Sequence, residues 1–271
     1  MSELKKFATQ IRIEEMKTFK KRGFGHVGGS MSATDAIAAL YGEIMKYDPK
    51  NPKWSERDRL VCSKGHAGPA IYAALALKGF FPMDWLNTLN EPGTKLPSHC
   101  DQNLTPGIDA TTGSLGQGAS IAAGMALGLK LDKSDSRVYL ILGDGECDEG
   151  QVWEMAIFAA AKKLNNLITF VDYNHKQLDG TTEEILDQMD IEAKFAAFGW
   201  ETMSINGNDA DVVADAVKKM QQKQGNKPGC IVLNTTKGFG VKKISDIELN
   251  HHINIDAALA DEAIELLEQE V

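Results

Sequence analysis

The sequence predicts one α/β domain, with a mostly parallel sheet that carries helices on both faces. The chain has 271 residues and a mass of 29.5 kDa, which suits a single core, since such cores grow to roughly 250–300 residues. Hydrophobic residues make up 43% of the chain and charged residues 25%, as in ordinary globular proteins. Apolar strands alternate with amphipathic helices, as in sheets covered on both sides. We therefore expect residues 1–271 to form a single domain that ends in a helix.

The amino-terminal part predicts two helices separated by a glycine-rich loop. Residues 2–22 place apolar side chains among Lys and Glu at roughly helical spacing. The segment GFGHVGGS then interrupts the chain with four glycines. Either Ser30 or Ser32 can cap the apolar helix that follows to about residue 45. His26 is therefore expected in a loop just before a helix.

The next part predicts a strand, a helix and a long loop. The apolar run at 59–63 is typical of a buried strand, and residues 66–79 predict a helix that ends at a glycine. Residues 82–112 contain four prolines and show no sustained periodicity. Loops of this length inside a domain are usually functional, so we expect this one to line a site.

The rest of the chain alternates helices and strands. We expect helices at about 117–131, 150–163, 190–198, 209–222 and 256–270. We expect strands at about 137–143, 167–173, 200–205 and 230–235. The strands at 137–143 and 167–173, with the helix between them, form a βαβ unit.

Composition excludes several classes of partner. The net charge is −9 and there is no extensive basic cluster, which argues against nucleic acid. The longest apolar stretch, at 119–129, is far shorter than the ~20 residues that a membrane span needs. The four cysteines lie 38, 47 and 83 residues apart without a CxxC pair, which favours reduced thiols. We expect a cytoplasmic protein.

The segment LILGDGECDEG is the strongest chemical signal. An apolar strand leads into Gly143, Asp144 and Gly145, where the carboxyl end of a parallel strand can bind a ligand. The acidic residues of this turn would repel a bare phosphate, whereas a Mg²⁺ or Ca²⁺ ion between them would relieve that repulsion. Asn174 follows the next strand, thirty residues after Asp144, and offers a second oxygen. A purely structural interpretation stays open, in which Asp144 caps a helix and Asn174 forms a turn.

Four blocks of sequence together resemble one enzyme family. GDG followed thirty residues later by Asn is similar to the signature of thiamine diphosphate enzymes. The blocks GHVGGS, SKGHA and TTGSLGQG resemble those of transketolases and occur in the same order. The resemblance covers residues 12–240 and implies the thiamine diphosphate-binding fold.

The resemblance implies which residues hold the cofactor and its metal. The metal ligands would be Asp144, Asn174 and the main-chain carbonyl of Lys176, with Mg²⁺ or Ca²⁺ as the ion. The residues that contact thiamine diphosphate would be His66, Gly113, Ser114, Leu115, Gly145 and Asn174. Glu149 matches an acidic residue that, in the family, faces the partner chain near the cofactor.

Histidines would handle protons on the substrate side. By resemblance, His26 and His99 are the catalytic histidines of the first half of the chain. One further catalytic histidine is either His251 or His252, and the family's glycine after that histidine, here Ile253, favours His252. The family's usual glycine, basic and proline context is missing here, so the sequence does not identify the sugar, whose acidic tail can be a phosphate or a sulfonate.

The implied activity is that of a transketolase, which moves a two-carbon ketol unit from a ketose to an aldose. The chain resembles only the diphosphate-binding domain of these enzymes. We therefore expect a partner chain with the pyrimidine-binding domain, its activating glutamate and the third domain. Two copies of each chain would form a heterotetramer.

Other functions are weighed against this one. The chain can be the cofactor-binding subunit of a 2-oxoacid dehydrogenase or a deoxyxylulose phosphate synthase, but SKGHA and TTGSLGQG argue against both. A nicotinamide-dependent enzyme would need GxGxxG after its first strand, where it is missing. A non-catalytic assembly protein of the same fold is disfavoured by the intact Asp144, Asn174, His26 and His66.

Overall fold

The computed structural model describes residues 1–271. Its helices are α1 (Glu3–Arg22), α2 (Val27–Ala39), α3 (Gly68–Leu77), α4 (Gln117–Leu131), α5 (Gly150–Ala161), α6 (Thr182–Leu186), α7 (Ile191–Ala197), α8 (Ala210–Lys223), α9 (Lys242–Ser245) and α10 (Ala257–Glu268). Its strands are β1 (Phe24–Gly25), β2 (Arg59–Cys62), β3 (Val138–Gly143), β4 (Leu167–Tyr173), β5 (Glu201–Asn206), β6 (Gly229–Asn234) and β7 (Ile253–Asn254). A single π-helical turn, Leu40–Ile44, extends α2.

Five of the strands form one sheet in the order β2-β3-β4-β6-β5, and every neighbouring pair is parallel. Side chains of β3 alternate between two buried clusters. Leu140 and Leu142 pack with residues of α4, α5 and α7, whereas Tyr139 and Ile141 pack with residues of α1, α2, α3, α8 and α10. The predicted fold class, a mostly parallel sheet with helices on both faces, is confirmed.

The first glycine-rich loop differs from the sequence prediction in one respect. The helix α2 begins at Val27, with His26 in the N-cap position and without a side-chain cap, so the prediction that Ser30 or Ser32 caps it is wrong. Both serines lie inside the helix and are buried. Main-chain contacts hold this start in place instead, since the Gly28 N–H donates to the Asn250 carbonyl at 3.1 Å.

A small antiparallel pair of strands joins the two ends of the chain. Phe24 lies opposite Asn254, and Gly25 lies opposite Ile253. Neither strand is predicted from the sequence, because two residues show no periodicity. The pairing brings the loop before α2 beside the segment that contains the double histidine.

The long loop at 82–112 contains one short 3₁₀ helix, Met83–Thr88, and otherwise irregular backbone. Its tyrosine contact fixes its path, because the Tyr72 hydroxyl of α3 donates to the carbonyls of Pro97 and His99. None of the helices combines the length and the apolar character needed to cross a lipid bilayer.

Candidate active site

A cavity of about 230 Å³ lies at the carboxyl ends of β3 and β4, where parallel sheets commonly bind ligands. The predicted site residues that line it are His26, His66, His99, Gly113, Leu115, Asp144, Gly145, Asn174, Lys176 and His251. The predicted residues Ser114, Glu149 and His252 do not line it, and all three are exposed. Most of the predicted set thus converges on one cavity.

Asp144 connects the loops that follow β3 and β4. Its Oδ2 accepts the N–H groups of Asn174 at 2.8 Å and of His175 at 2.7 Å. Its Oδ1 accepts the N–H of Gly145 at 2.8 Å. The side chain is buried, so this carboxylate is an internal acceptor rather than a surface charge.

Asn174 and Lys176 continue the same network. The Asn174 amide is oriented by two bonds, since its Nδ2 donates to Asp172 at 3.3 Å and its Oδ1 accepts the Lys176 N–H at 3.2 Å. The Lys176 carbonyl accepts the Lys237 ammonium at 2.8 Å. Three oxygens that the sequence assigns to a metal therefore belong to one connected group.

These oxygens fit a small divalent cation. No group of three or more His, Cys, Asp or Glu side chains is placed to hold a metal ion, so the candidate set combines one carboxylate, one amide oxygen and one main-chain carbonyl. Such oxygen ligands suit Mg²⁺ or Ca²⁺ when phosphate or water completes the shell. Burial and the charge of Asp172 raise the pKa of Asp144 to about 6, against the opposing effects of Gly145, Lys64 and Lys237. A nearby cation would favour its charged form.

Two buried lysines line the cavity that the sequence analysis did not single out. Lys64 forms an ion pair with the fully buried Asp172. Burial alone would lower the pKa of Lys64, but the Asp172 carboxylate outweighs it and raises that pKa. Burial and the charge of Lys64 lower the pKa of Lys237 to about 8. Both groups carry positive charge at neutral pH, which suits an anionic ligand such as a diphosphate.

Two glycines leave room for side chains of the cavity wall. Gly113 has φ +141, and an added Cβ would lie 3.1 Å from the His99 ring. At Gly29 an added Cβ would lie 2.9 Å from His66 Nε2. Larger residues at either position would displace an imidazole, which explains part of the glycine content of the GHVGGS and TTGSLGQG blocks.

Five imidazoles lie close together at the mouth of the cavity. The ring centroid of His26 lies 5.7 Å from that of His66, 5.4 Å from that of His99, 5.4 Å from that of His251 and 4.7 Å from that of His252. The β1–β7 pair produces this cluster from residues more than 200 positions apart. Of the two adjacent histidines, His251 lines the cavity, whereas His252 lies outside the lining and its ring is 5.5 Å from Phe24.

Burial keeps the histidines of the cavity neutral at physiological pH. It lowers the pKa of His26 to about 4, with further contributions from His252 and His99. Burial and the charge of Lys237 lower the pKa of His251 to about 3. The pKa values of His66 and His99 are also lowered by burial. Neutral imidazoles can accept a proton from a hydroxyl group.

Weak sequence signals existed for the two lysines. Each follows an apolar strand by a few residues, with Lys64 inside SKGHA after β2 and Lys237 inside TTKGFG after β6. Position at the carboxyl end of a parallel strand is therefore the signal that could have found them.

Comparisons with known proteins agree with this geometry. The family model described as "Transketolase, thiamine diphosphate binding domain" matches residues 4–271. The 6-deoxy-6-sulfo-D-fructose transketolase subunit SqwG of Clostridium sp. (strain MSTE9) is 51% identical over 97% of this chain and 95% of its own length. One of the two subunits of an apulose-4-phosphate transketolase from Phocaeicola vulgatus is 38% identical over 89% of this chain and 85% of its own.

A solved structure gives the same result. Transketolase from Campylobacter jejuni superposes with a TM-score of 0.90 at 29% identity, over 100% of this chain but only 43% of its own. The 2-oxoacid dehydrogenase, deoxyxylulose phosphate synthase and assembly-protein alternatives are not favoured, since the family model and these relatives are transketolases. The chain belongs to the transketolase family and is a thiamine diphosphate-binding transketolase subunit.

Proposed function

We propose that this chain binds the diphosphate end of thiamine diphosphate through Mg²⁺ and carries part of the catalytic machinery for ketol transfer. The observation that carries the proposal is the connected group of Asp144, Asn174 and Lys176 oxygens beside two buried lysines in one cavity. The oxygens would hold Mg²⁺, and Lys64 and Lys237 would balance the diphosphate charge. When bound, the thiazolium ring serves as the electron sink of the reaction.

The remaining cofactor contacts follow from position in the cavity. His66 and Gly145 lie beside the metal group and would contact the diphosphate. Gly113 and Leu115 lie on another wall and would contact the rings, with the neighbouring Ser114 at the edge of that wall. Leu115 is 38% exposed, so a bound ring would cover an apolar side chain that now faces solvent.

His26, His99 and His251 would move protons at the hydroxyl groups of the sugar. Their lowered pKa values make them acceptors near pH 7, and His26 lies within ring contact of the other two. The carbon–carbon bond of a ketose breaks when the hydroxyl next to it loses its proton to such a base. General acid–base catalysis of this kind contributes typically 10²–10⁴-fold to the rate.

A partner chain would carry the pyrimidine-binding and third domains. The named relatives are subunits, and this chain spans 43% of the one-chain transketolase. We propose that the partner covers the exposed Glu149 and the adjoining surface, and that two copies of each chain assemble. The four buried, free cysteines support a reducing, cytoplasmic location.

We propose 6-deoxy-6-sulfo-D-fructose as the ketose donor, because the relative with that printed activity is 51% identical over nearly the whole chain. Removal of two carbons from this six-carbon sugar would leave a four-carbon aldose that keeps the sulfonate. A phosphorylated donor is the second candidate, favoured by the more distant apulose-4-phosphate relatives.

The test is a donor comparison with the complete enzyme. The chain and its partner would be mixed with thiamine diphosphate, Mg²⁺ and glyceraldehyde 3-phosphate, and 6-deoxy-6-sulfo-D-fructose, fructose 6-phosphate or apulose 4-phosphate would be offered in turn. We expect kcat/KM for the sulfonated donor to exceed the others by at least about tenfold, or ~1.4 kcal/mol in the transition state. Equal or better use of a phosphorylated donor would overturn the sulfonate assignment and leave ketol transfer intact.

A further inference from the structure

Glu146 is a buried carboxylate beside the candidate active site that the functions described above leave unexplained. It lies in the 3₁₀ turn Gly145–Asp148, directly after the GDG segment, and is only 2% exposed. It lines the cavity, yet no cation lies within ion-pair distance of its carboxylate. Burying such a group is costly unless hydrogen bonds compensate for the lost water.

Three hydrogen bonds supply that compensation, and each comes from a different part of the chain. Oε1 accepts the Gly116 N–H at 2.7 Å and the Ser63 hydroxyl. Oε2 accepts the Gly143 N–H at 3.1 Å. The donors lie after β2, before α4 and at the end of β3.

Each donor adjoins a different wall of the cavity. Ser63 directly precedes Lys64 in the SKGHA block. Gly116 directly follows Leu115, and Gly143 directly precedes Asp144. One side chain therefore ties together the wall with the buried lysine, the wall expected to face the rings, and the wall with the candidate metal ligand.

We propose that Glu146 is a positioning residue that fixes these three walls relative to one another before the cofactor binds. The proposal rests on the proposed cofactor site. All three partners are donors, so only an acceptor with two oxygens at this reach satisfies them together. Walls that are already in place lose less conformational freedom when a ligand binds, which strengthens binding.

The substitution Glu146→Gln tests this with little change in shape. A glutamine amide offers one acceptor and one donor, so either orientation sets an NH₂ group against the N–H of Gly116 or of Gly143. We expect the affinity of the complete enzyme for thiamine diphosphate with Mg²⁺ to fall by about tenfold to a hundredfold in calorimetry. With saturating cofactor, kcat should stay within about twofold of wild type, because Glu146 touches no reacting atom.

A second readout is independent of the cofactor. In its absence, hydrogen exchange of the Gly116 and Gly143 amides should be faster in Glu146→Gln than in wild type, whereas the centre of β4 should be unchanged. The control Glu91→Gln makes the same chemical change at an exposed glutamate without a side-chain partner and should alter neither readout. If Glu146→Gln fails to fold, Ser63→Ala removes one donor only and should give a smaller loss of affinity.

Two results would overturn the proposal. Unchanged exchange and unchanged affinity would mean that the walls are fixed without Glu146. A large loss of kcat at saturating cofactor with unchanged affinity would assign Glu146 to the chemistry instead of to positioning. If wild type itself failed to bind thiamine diphosphate while the exchange difference persisted, the cofactor assignment would fail and the positioning role would stand.

Discussion

Asp144 has a role before and after a metal ion binds, since its carboxylate already holds the loops after β3 and β4 together. We expect Asp144→Ala to abolish Mg²⁺-dependent binding of thiamine diphosphate, because the only carboxylate of the candidate metal group is removed. Calorimetry on the complex with its partner, with and without Mg²⁺, measures this. Circular dichroism should remain that of a folded protein, and Asp135→Ala, at an exposed site, serves as the control. Wild-type cofactor affinity in Asp144→Ala would refute the metal assignment.

The double histidine allows a direct comparison of neighbours. His251 lines the cavity and contacts Lys237, whereas His252 is exposed outside the lining. We expect His251→Ala to lower kcat by about 10²-fold and His252→Ala to have little effect, as for one proton-transfer group and one bystander. Steady-state rates on the true donor at saturating cofactor decide between them. The opposite order would restore the alignment that the sequence favours, with Ile253 in the place of the family's glycine.

At the scale of single residues, motif spacing predicted most of the cavity lining but not its charges. Asp144 and Asn174 follow apolar strands, so their convergence follows from the parallel sheet alone. Lys64 and Lys237 were missed because lysine is rarely buried unless it is paired. Their partners, Asp172 and the Lys176 carbonyl, are 108 and 61 positions away and become neighbours only in the fold.

At the scale of elements, the contact between α1 and α2 contains a buried acid. Glu15 of α1 accepts the Thr34 hydroxyl of α2 at 3.0 Å through Oε2, while Oε1 has no partner. Burial raises the pKa of Glu15 to about 8, although the charge of Arg12 and the Thr34 hydrogen bond oppose it. The folded protein therefore holds a proton there that the unfolded chain, with a pKa near 4.5, releases.

The sign of the pH dependence follows from that difference. The stability contributed by protonated Glu15 is complete below about pH 4.5 and is lost as the pH rises toward 8, by up to about 1.4 kcal/mol per pH unit. We expect Glu15→Gln, which cannot ionise, to gain stability relative to wild type between pH 5 and 8. Urea denaturation of both proteins at several pH values measures the difference. A constant difference across that range would show that Glu15 does not hold the proton.

Long elements followed from periodicity, and short ones did not. The helix predicted at 117–131 and the strand predicted at 167–173 are confirmed to the residue. The strands β1 and β7 were missed because two residues carry no pattern. The start of α2 was misplaced because a main-chain bond from Gly28 to Asn250, more than 200 residues away, replaces the expected serine cap.

At the scale of the whole molecule, one surface is unusually apolar. The helices α4 and α5 pack against each other and contain only one charged residue each, Lys130 and Glu154. Ile121, Ile157 and Phe158 on these helices are 38%, 54% and 37% exposed. Contiguous exposed apolar surface of this kind commonly marks an interface, and it adjoins the cavity at Leu115.

We expect the purified chain alone to show no ketol transfer and to gain it when the partner chain is added. The double substitution Ile121→Lys/Ile157→Lys should weaken that association by at least about tenfold, since it would bury charge in an apolar contact. Sedimentation of the mixed chains, together with the transfer rate, measures this. Leu266→Lys, an equally drastic change at an exposed leucine of α10, is the control. Turnover by the single chain, or unaltered association of the double variant, would contradict the assignment.

The pairing of β1 with β7 has a consequence for how the molecule forms during synthesis. Phe24 meets Asn254, so closing this contact spans almost the entire chain, and contacts of such long range form slowly. The five-stranded sheet needs nothing beyond residue 234 and can assemble while the rest of the chain is still being made. The cluster around His26 can therefore form only after the ribosome has delivered the final segment, and a nascent chain would be folded before it could be active.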